Sequence, residues 1–357
     1  MNQRVLKLRR LFGDNKIDGI FITQAENRRY LSGFFGTAGY LFITQNKAVL
    51  ATDFRYTEQA AGEAPDFEIL RIGGKLTEWF PKLVSDFAVK RLGFEPSEVS
   101  YDFHAQLENV LKKKGVKAKL VPVSGLVESL RAVKEPDEIE LIMQASVITD
   151  AAFNKVSAEI KAGMTELQIA WMLEKEMRES GSQALPFEII IASGPEASLP
   201  HHKPTGRALK TGDPVVIDMG AKVNGYATDL SRTVCIGEPG AQYKKVYHIV
   251  MEAQHQAIEA ICAGMTGGEA DAIARNVIKK AGYGEAFGHS LGHGVGLQEH
   301  EAPRLGPGSK DVLGNNMVFT IEPGIYIPGW GGVRIEDTVI LEKGKVKLLT
   351  GARKVRL

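Results

Sequence analysis

The segment from Val215 to Asp229, VVIDMGAKVNGYATD, constrains this chain most, because it sets two aspartates beside an apolar run typical of a buried strand. Residues 215–217 predict the strand, so Asp218 should be carried inward, where an ionised carboxylate is costly unless a cation meets it. Asp229 follows a glycine-containing turn, as expected for the second arm of a hairpin that brings the two carboxylates together. From this stretch alone, a metal site and a surface hairpin with aspartates at its turn both remain open.

Length and composition are those of a globular protein with more than one domain. The 357 residues exceed one typical domain, so we expect two, of which the larger has a sizeable core. Hydrophobic residues make up 44% and charged residues 24%, which argues against disorder. The 44 Lys and Arg nearly balance the 43 Asp and Glu, so no bulk attraction to nucleic acid or to an anionic membrane is expected.

Targeting features favour a soluble cytoplasmic protein. The N-terminal run MNQRVLKLRRLFGDNK is charged and amphipathic and lacks an apolar h-region, so it predicts no secretory signal. Apolar runs such as residues 189–192 are too short to span a bilayer. The two cysteines, Cys235 and Cys262, do not form a CxxC pair, which fits a reducing compartment and excludes a disulfide or thiolate–zinc framework.

Alternating strand and helix signals predict an α/β domain over residues 1–125. A second domain is expected over residues 130–357, with the boundary near 131–136, RAVKEP. Pro136 is expected as the first residue of a long helix, and Thr165 with Gln168 forms a capping-box signature for the next. Strands are predicted at 19–23, 40–44, 48–52, 118–121, 187–192 and 214–219, with further strand runs from 319 and 332; helices are predicted at 76–89, 101–114, 243–263 and 269–281. The order helix, helix, strand, hairpin recurs roughly twice in the second domain.

Three later segments add possible metal ligands to the aspartate pair. The glycine-rich run HSLGHGVGLQEHE, from His289 to Glu301, contains His293, while Glu322 in TIEPG and Glu336 in VRIEDT each follow apolar strand residues. Alone, each segment has an ordinary explanation as a surface loop or a strand with an outward glutamate. Together, four carboxylates offset two divalent cations, and oxygen-rich ligation with one histidine favours Mn²⁺, Co²⁺ or Zn²⁺ over a structural zinc.

The ordered contexts IDMG, TDLSRT, GHGVGL, IEPG and RIED resemble those of the pita-bread metallopeptidases, which include proline dipeptidase, Xaa-Pro aminopeptidase and methionine aminopeptidase. The resemblance implies an α+β fold, with a pita-bread catalytic domain and a smaller α/β creatinase-type N-terminal domain. It also implies two divalent cations per subunit, with Mn²⁺ the first choice and Co²⁺ or Zn²⁺ as alternatives. Asp218 would hold one ion, Asp229 and Glu336 would bridge, and His293 and Glu322 would hold the other.

The same resemblance suggests roles for further residues around these ligands. His201 in SLPHHKP, preferred over its neighbour His202, and His300 match proton-handling histidines, and Glu322 is the carboxylate expected to carry a proton. Arg334 is expected to orient metal ligands rather than to touch substrate. The residues expected to contact substrate are His289, Arg304 against its carboxylate, and Phe187 and Tyr226 against the proline ring.

The resemblance implies hydrolysis of the peptide bond that precedes proline, by a homodimer acting on proline-containing peptides. Xaa-Pro dipeptidase is slightly favoured because of Arg304, with Xaa-Pro aminopeptidase acting on longer peptides as the alternative. Methionine aminopeptidase fits less well, since an N-terminal domain is present. A metal-free creatinase-like amidinohydrolase and a non-catalytic binding protein are remote alternatives, because all five ligand positions are filled.

Overall fold

The structure of the protein, a computed structural model, describes residues 2–354. The chain divides into two compact units on either side of the bond between Arg131 and Ala132, here called the N-terminal and C-terminal units. Each unit has its own sheet structure and its own hydrophobic core. No helix in the described part of the chain is both long enough and apolar enough to cross a bilayer.

One six-stranded mixed sheet organises the N-terminal unit. Its strands are β1 (Gly19–Ile22), β2 (Tyr40–Thr44), β3 (Ala48–Thr52), β4 (Glu68–Arg71), β5 (Arg91–Phe94) and β6 (Lys119–Pro122). They lie in the order β4-β3-β2-β1-β5-β6, with β2 antiparallel to both β1 and β3 and the other pairs parallel. The strands predicted in this half of the chain are therefore present within two residues of their expected bounds.

Six helices accompany these strands in the described part of the N-terminal unit. They are α1 (Gln3–Arg10), α2 (Ala25–Ser32), α3 (Thr57–Glu63), α4 (Leu76–Asp86), α5 (Tyr101–Lys113) and α6 (Leu126–Ala132). Helix α5 begins as predicted, because the Ser100 hydroxyl accepts a 3.2 Å hydrogen bond from the backbone N–H of Phe103. Asp53 and Arg55 form a 2.8 Å ion pair just before α3.

Two pairs of helices organise the C-terminal unit. They are α7 (Pro136–Ser157), α8 (Glu166–Glu179), α9 (Ala241–Ala260) and α10 (Gly267–Lys280). Pro136 is the first residue of α7, and Thr165 and Gln168 form the predicted capping box of α8. Each pair precedes a set of strands, so the recurrence of helix, helix and strands is present in the C-terminal unit.

The strands of the C-terminal unit form two main sheets and two short hairpins. They are β7 (Ile190–Ser193), β8 (Pro214–Met219), β9 (Lys222–Val223), β10 (Tyr226–Ala227), β11 (Leu230–Cys235), β12 (Gly292–Gly294), β13 (Glu301–Leu305), β14 (Val318–Ile321), β15 (Gly324–Ile327), β16 (Gly331–Arg334), β17 (Asp337–Glu342) and β18 (Lys345–Leu348). The main sheets have the orders β11-β8-β7 and β13-β12-β14-β17-β18, while β9 pairs with β10 and β15 with β16.

Two long strand runs predicted near the C-terminus are interrupted in the structure. The run from Phe319 breaks between β14 and β15, and the run from Gly332 breaks between β16 and β17. Glu322 and Glu336 lie in these breaks, where the chain passes from one sheet to another. The breaks matter for the site, because the side chains of both glutamates lie outside regular strands and need not alternate between the two faces of a sheet.

Candidate active site

The C-terminal unit contains a cavity of about 590 Å³ that gathers the side chains proposed as metal ligands. All five predicted ligands line it: Asp218, Asp229, His293, Glu322 and Glu336. They come from the β8–β11 hairpin, from β12 and from the two strand breaks. Chain segments up to 118 positions apart, from Asp218 to Glu336, therefore converge on one volume.

The aspartates meet because the segment between them folds back as a hairpin. Strands β8 and β11 pair antiparallel, with Met219 opposite Leu230, and the short β9–β10 ribbon extends beyond them. Gly220 makes the return possible, since a Cβ at that position would lie 2.2 Å from the carbonyl oxygen of Thr228. The predicted hairpin is thus confirmed, and it places both carboxylates at the cavity wall.

His293 presents one ring nitrogen to the carboxylates. Its Nδ1 lies 3.2 Å from the carbonyl oxygen of Gly294, which can only accept, so Nδ1 carries the proton of the neutral ring. Its Nε2 is then free and lies 3.4 Å from Glu322 Oε1 and 3.7 Å from Asp229 Oδ2. Burial, with a contribution from His300, lowers the pKa of His293 to about 4, which keeps this nitrogen available as a ligand.

Buried oxygens without hydrogen-bond partners show that this donor set fits a cation. Among the described residues, Asp218 Oδ1, Asp229 Oδ1 and Glu336 Oε1 are inaccessible to solvent and have no hydrogen-bond partner. Ligand atoms of Asp229, His293 and Glu336 also lie within 4.8 Å of one another. Since a buried unpaired carboxylate oxygen is costly, oxygens and an imidazole nitrogen arranged in this way suit a divalent metal.

The carboxylates strongly oppose one another's ionisation. Burial, followed by the charges of the neighbouring carboxylates, raises the pKa of both Asp229 and Glu336 well above the usual range. Burial, with repulsion from Asp218, raises the pKa of Glu322 to about 8, although Arg334 acts in the other direction. Groups of like charge with mutually raised pKa values are common at functional sites, where a bound cation removes the repulsion.

Arg334 connects the ligands to a hydrogen-bond network. Its guanidinium is 3% exposed and donates to Asp218 Oδ2 at 2.7 Å, to the Ser231 hydroxyl at 2.7 Å and to the Tyr326 hydroxyl at 2.8 Å. A planar guanidinium fixed at three points holds the carboxylate of Asp218 in one orientation. This placement suits the predicted role of Arg334 in orienting a ligand.

His289 lies at the cavity but has both ring nitrogens engaged. Nδ1 is 2.8 Å from the carbonyl oxygen of Ser290, so it donates, and Nε2 then accepts from the Tyr326 hydroxyl at 2.9 Å. Burial and the charge of Arg334 lower the pKa of His289 to about 4, and burial raises that of Tyr326 to about 12. His289 is therefore held neutral and offers its ring, rather than a free nitrogen, to the cavity.

The other predicted histidines line the cavity in different ways. The His300 ring lies 4.0 Å from that of His293, centroid to centroid, and its side chain is 63% exposed. His201 and His202 both line the cavity, but the Nε2 atom of His202 also lies 2.9 Å from the buried carboxylate of Glu166. The structure thus distinguishes the two adjacent histidines, since His202 is engaged by the protein itself.

The structure places three of the four residues expected against substrate at the cavity and corrects the fourth. Phe187, His289 and Arg304 line it, and Arg304 Nε donates to the Ser290 hydroxyl at 3.3 Å. Tyr226 does not line it. The Tyr226 side chain is 6% exposed and its hydroxyl donates to Glu138 of α7 at 2.8 Å, because its position in β10 turns the ring toward the helix.

Sequence reasoning missed several residues that support the site. Tyr326 joins Arg334 to His289, Glu166 holds His202, and Lys134 forms a 2.7 Å ion pair with Glu301 beside His300. An acidic residue in a first helical turn, a lysine near a domain boundary and a tyrosine in a strand are all ordinary. No local pattern could have identified them, because each has a partner more than 30 positions away along the chain.

Comparison with known proteins relates both units to described families. Residues 140–343 match the model of metallopeptidase family M24, and residues 4–133 match the creatinase/prolidase N-terminal domain. An Xaa-Pro dipeptidase of Pyrococcus horikoshii is 39% identical over 98% of this chain and 97% of that protein.

Solved structures show the same arrangement over nearly the whole chain. An Xaa-Pro dipeptidase from Bacillus anthracis has a TM-score of 0.95 and 42% identity, covering 99% of this chain and 98% of that one. An X-Pro aminopeptidase from Thermotoga maritima has a TM-score of 0.89 and 38% identity, covering 98% of both chains.

Proposed function

From the premise that the chain belongs to metallopeptidase family M24, with a pita-bread catalytic unit and a creatinase/prolidase-type N-terminal domain, we propose that it hydrolyses the peptide bond preceding proline, with Xaa-Pro dipeptides as preferred substrates. The observation that carries this proposal is the convergence of the five ligand side chains, with Arg304, on one cavity. Names of relatives support the substrate class, since they include both Xaa-Pro dipeptidases and an X-Pro aminopeptidase.

The five ligand side chains would hold two divalent cations. Asp218, Asp229, His293, Glu322 and Glu336 supply four carboxylates and one imidazole, a donor set that suits Mn²⁺, with Co²⁺ or Zn²⁺ as alternatives. Such cations, when bound, supply the Lewis acidity that ionises water near neutral pH and polarises a carbonyl. The protein's own side chains perform the remaining steps.

Three side chains are assigned to proton handling. His201 and His300 face the cavity and would donate hydrogen bonds to the oxyanion that develops on the scissile carbonyl. Glu322 would accept the proton of the attacking water and deliver it to the prolyl nitrogen as the peptide bond breaks. Thr320 donates to Glu322 Oε1 at 3.2 Å and so restricts the orientation of this carboxyl group.

Substrate selection is assigned to Phe187 and Arg304, which also line the cavity. Phe187 offers an apolar surface for the proline ring, and proline suits the site because its tertiary amide has no N–H that would need a partner. Arg304 would bind the free carboxylate of a dipeptide with its two terminal nitrogens, while its Nε is fixed by Ser290. An aminopeptidase acting on longer peptides is the second candidate, because Arg304 is exposed and a longer peptide could pass beside it.

Cellular context and assembly follow the same proposal. The two cysteines, which do not form a CxxC pair, support a reducing, cytoplasmic location, and the family resemblance supports a homodimer. Mn²⁺ is proposed as the working metal on the chemistry of the ligands. Each of these statements is checked by fractionation, by mass measurement in solution and by elemental analysis.

The test compares three substrates of the Mn²⁺-loaded enzyme: Ala-Pro, Ala-Pro-amide and Ala-Pro-Ala. We expect Ala-Pro to be cleaved with the highest kcat/KM, and Arg304→Ala to raise its KM by roughly 10- to 100-fold, the value of a charge-assisted hydrogen bond. Ala-Pro-amide lacks the carboxylate, so Arg304→Ala should leave its cleavage unchanged. Lys203→Ala, which removes another cation at the cavity, is the matched control. A higher kcat/KM for Ala-Pro-Ala would favour the aminopeptidase, and no cleavage of any would refute the peptidase assignment.

A further inference from the structure

Glu166 is a fully buried carboxylate that accepts hydrogen bonds from five donors. Its Oε1 accepts from the N–H of Ser193 at 2.9 Å and from the Ser193 hydroxyl at 2.6 Å. Its Oε2 is 2.9 Å from His202 Nε2 and accepts from the N–H and hydroxyl of Thr205 at 3.0 Å and 2.8 Å. The relative exposure of Glu166 is 0%, so no solvent competes for these contacts.

Four of these five donors belong to the two ends of a single loop, and the fifth, His202, lies within it. Ser193 is the last residue of β7, and Thr205 closes the loop formed by residues 194–204. This loop contains a short 3₁₀ helix, Gly194–Ser198, and then His201, which lines the catalytic cavity. One carboxylate therefore joins the beginning and the end of the loop that carries a proposed proton-handling histidine.

The charge of Glu166 is retained despite its burial. Burial opposes its ionisation, but the hydrogen bonds from Ser193, His202 and Thr205 outweigh this effect and lower its pKa. The position of Glu166 as first residue of α8 also favours a negative charge there. The five donors thus meet an ionised acceptor, and such hydrogen bonds are roughly twice as strong as neutral ones.

The Glu166 carboxylate is not needed to cap the N-terminus of α8 or to fill the core. Thr165 and Gln168 already cap α8 reciprocally, with hydrogen bonds of 3.2 Å and 2.9 Å. An apolar side chain of similar size would pack at this depth without the cost of burying a charge. The backbone N–H of Leu167 already donates to the carbonyl oxygen of Thr205 at 3.1 Å, and what the Glu166 side chain adds is a contact that joins this end of the 194–204 loop to the other end at Ser193.

We propose that Glu166 is a positioning residue for the reaction: by binding both ends of the 194–204 loop and the neighbouring His202, it keeps His201 directed into the cavity. The inference rests on the proposed function, in which His201 acts on the substrate. Glu166 itself does not line the cavity and is not assigned a chemical step. It also gives His202 a role, which is to anchor the loop rather than to contact the substrate.

The first test is Glu166→Gln in the full-length Mn²⁺-loaded protein. Glutamine keeps the shape but replaces one acceptor oxygen with a donor, so at least two of the five donors lose their partner. A small misplacement of a reacting group lowers the reaction rate by up to about 100-fold. We therefore expect kcat for Ala-Pro to fall roughly 10- to 100-fold while KM changes less than about threefold. Glu138→Gln is the matched control, because Glu138 is a buried glutamate in the first turn of α7 that accepts hydrogen bonds from the N–H of Glu135 and the hydroxyl of Tyr226. It should leave kcat within about twofold of wild type.

Two further measurements separate positioning from a general loss of structure. In a His201→Ala background, Glu166→Gln should cost less than about threefold in kcat, because the group it positions is already gone. Amide hydrogen exchange should show faster exchange for Ser193 and Thr205 in Glu166→Gln, since their N–H groups bind the carboxylate. An equal loss of kcat with and without His201, or unchanged exchange at both amides, would overturn the proposal. A fully active His201→Ala enzyme would overturn the catalytic role of His201, and the exchange data would still report whether Glu166 holds the loop.

Discussion

Arg334 binds only one of the two carboxylate oxygens of Asp218. Its Nη2 lies 2.7 Å from Oδ2, whereas Oδ1 is buried and has no hydrogen-bond partner among the described residues. The guanidinium is itself fixed by Ser231 and Tyr326. The contact of Arg334 with Oδ2 alone orients the Asp218 carboxylate and leaves Oδ1 available to a metal. This is expected of an arginine that supports a metal ligand without touching the ion.

Replacing Arg334 should therefore weaken metal binding. In Arg334→Met the Asp218 carboxylate loses its fixed partner, and we expect the Mn²⁺ concentration for half-maximal activity to rise roughly 10- to 100-fold. Titration calorimetry and activity titrations both measure this change. Arg178→Met, which breaks a surface pair with Glu174 on α8, is the control and should leave Mn²⁺ affinity as in wild type. Unchanged Mn²⁺ affinity in Arg334→Met would show that Asp218 needs no orientation.

The free energy of unfolding of the metal-free protein, kept in EDTA, should fall as pH rises from about 7 to 8. The folded-state pKa of Glu322 is about 8 and those of Asp229 and Glu336 are raised, so the folded state keeps protons that the unfolded chain has lost by about pH 5. Raised pKa values make stability decrease with pH, by about 1.4 kcal/mol per pH unit for each retained proton. Above pH 7 the buried histidines, with lowered pKa values, are neutral in both states and do not contribute.

Thermal unfolding in EDTA across this pH range measures the effect. Added Mn²⁺ should reverse the decrease, because cations that bind only the folded state stabilise it. Glu322→Gln should flatten the pH dependence, since it removes one of the protons involved. A Tm in EDTA that rises from pH 7 to pH 8 would contradict the raised pKa values.

The buried pair of Lys134 and Glu301 provides a test independent of metal. Their charged atoms lie 2.7 Å apart, with side-chain exposures of 1% and 3%. Lys134→Met leaves the Glu301 carboxylate buried without this cation, and we expect a loss of about 3 to 5 kcal/mol in the free energy of unfolding. The double variant Lys134→Met, Glu301→Gln should recover most of this loss, because both charges are then gone. Chemical denaturation measures both values, and a double variant no more stable than Lys134→Met would contradict the explanation.

Much of the site was predictable because residue types and their immediate neighbours in the sequence identify candidate metal ligands and helix caps. Aspartates at the ends of apolar runs are unusual enough to identify Asp218 and Asp229, and the helix caps at Ser100 and Thr165 depend only on neighbouring residues. These features need no knowledge of what lies across the fold. The same holds for the glycine-rich context of His293.

Features that depend on distant partners could not be predicted. The resemblance suggested Tyr226 for the substrate pocket, but the sequence does not show what covers its face of the strand, and its partner Glu138 lies 88 positions away. His201 and His202 are neighbours in an irregular loop, where the family resemblance favours His201 but the contact of His202 with Glu166 needs the fold. The breaks at Glu322 and Glu336 were likewise not predicted, because each lies inside a longer run of strand-forming residues and the change of sheet depends on pairing with distant strands.

Metal content tests the central claim most directly. Full-length protein purified with excess Mn²⁺ and then desalted should retain two Mn²⁺ per chain by elemental analysis and should cleave Ala-Pro. The variant Asp229→Ala, Glu336→Ala should retain markedly less metal and lose cleavage, because both carboxylates belong to the compact ligand cluster. Wild-type protein that binds no divalent metal, or a double variant that binds as much as wild type, would contradict the account.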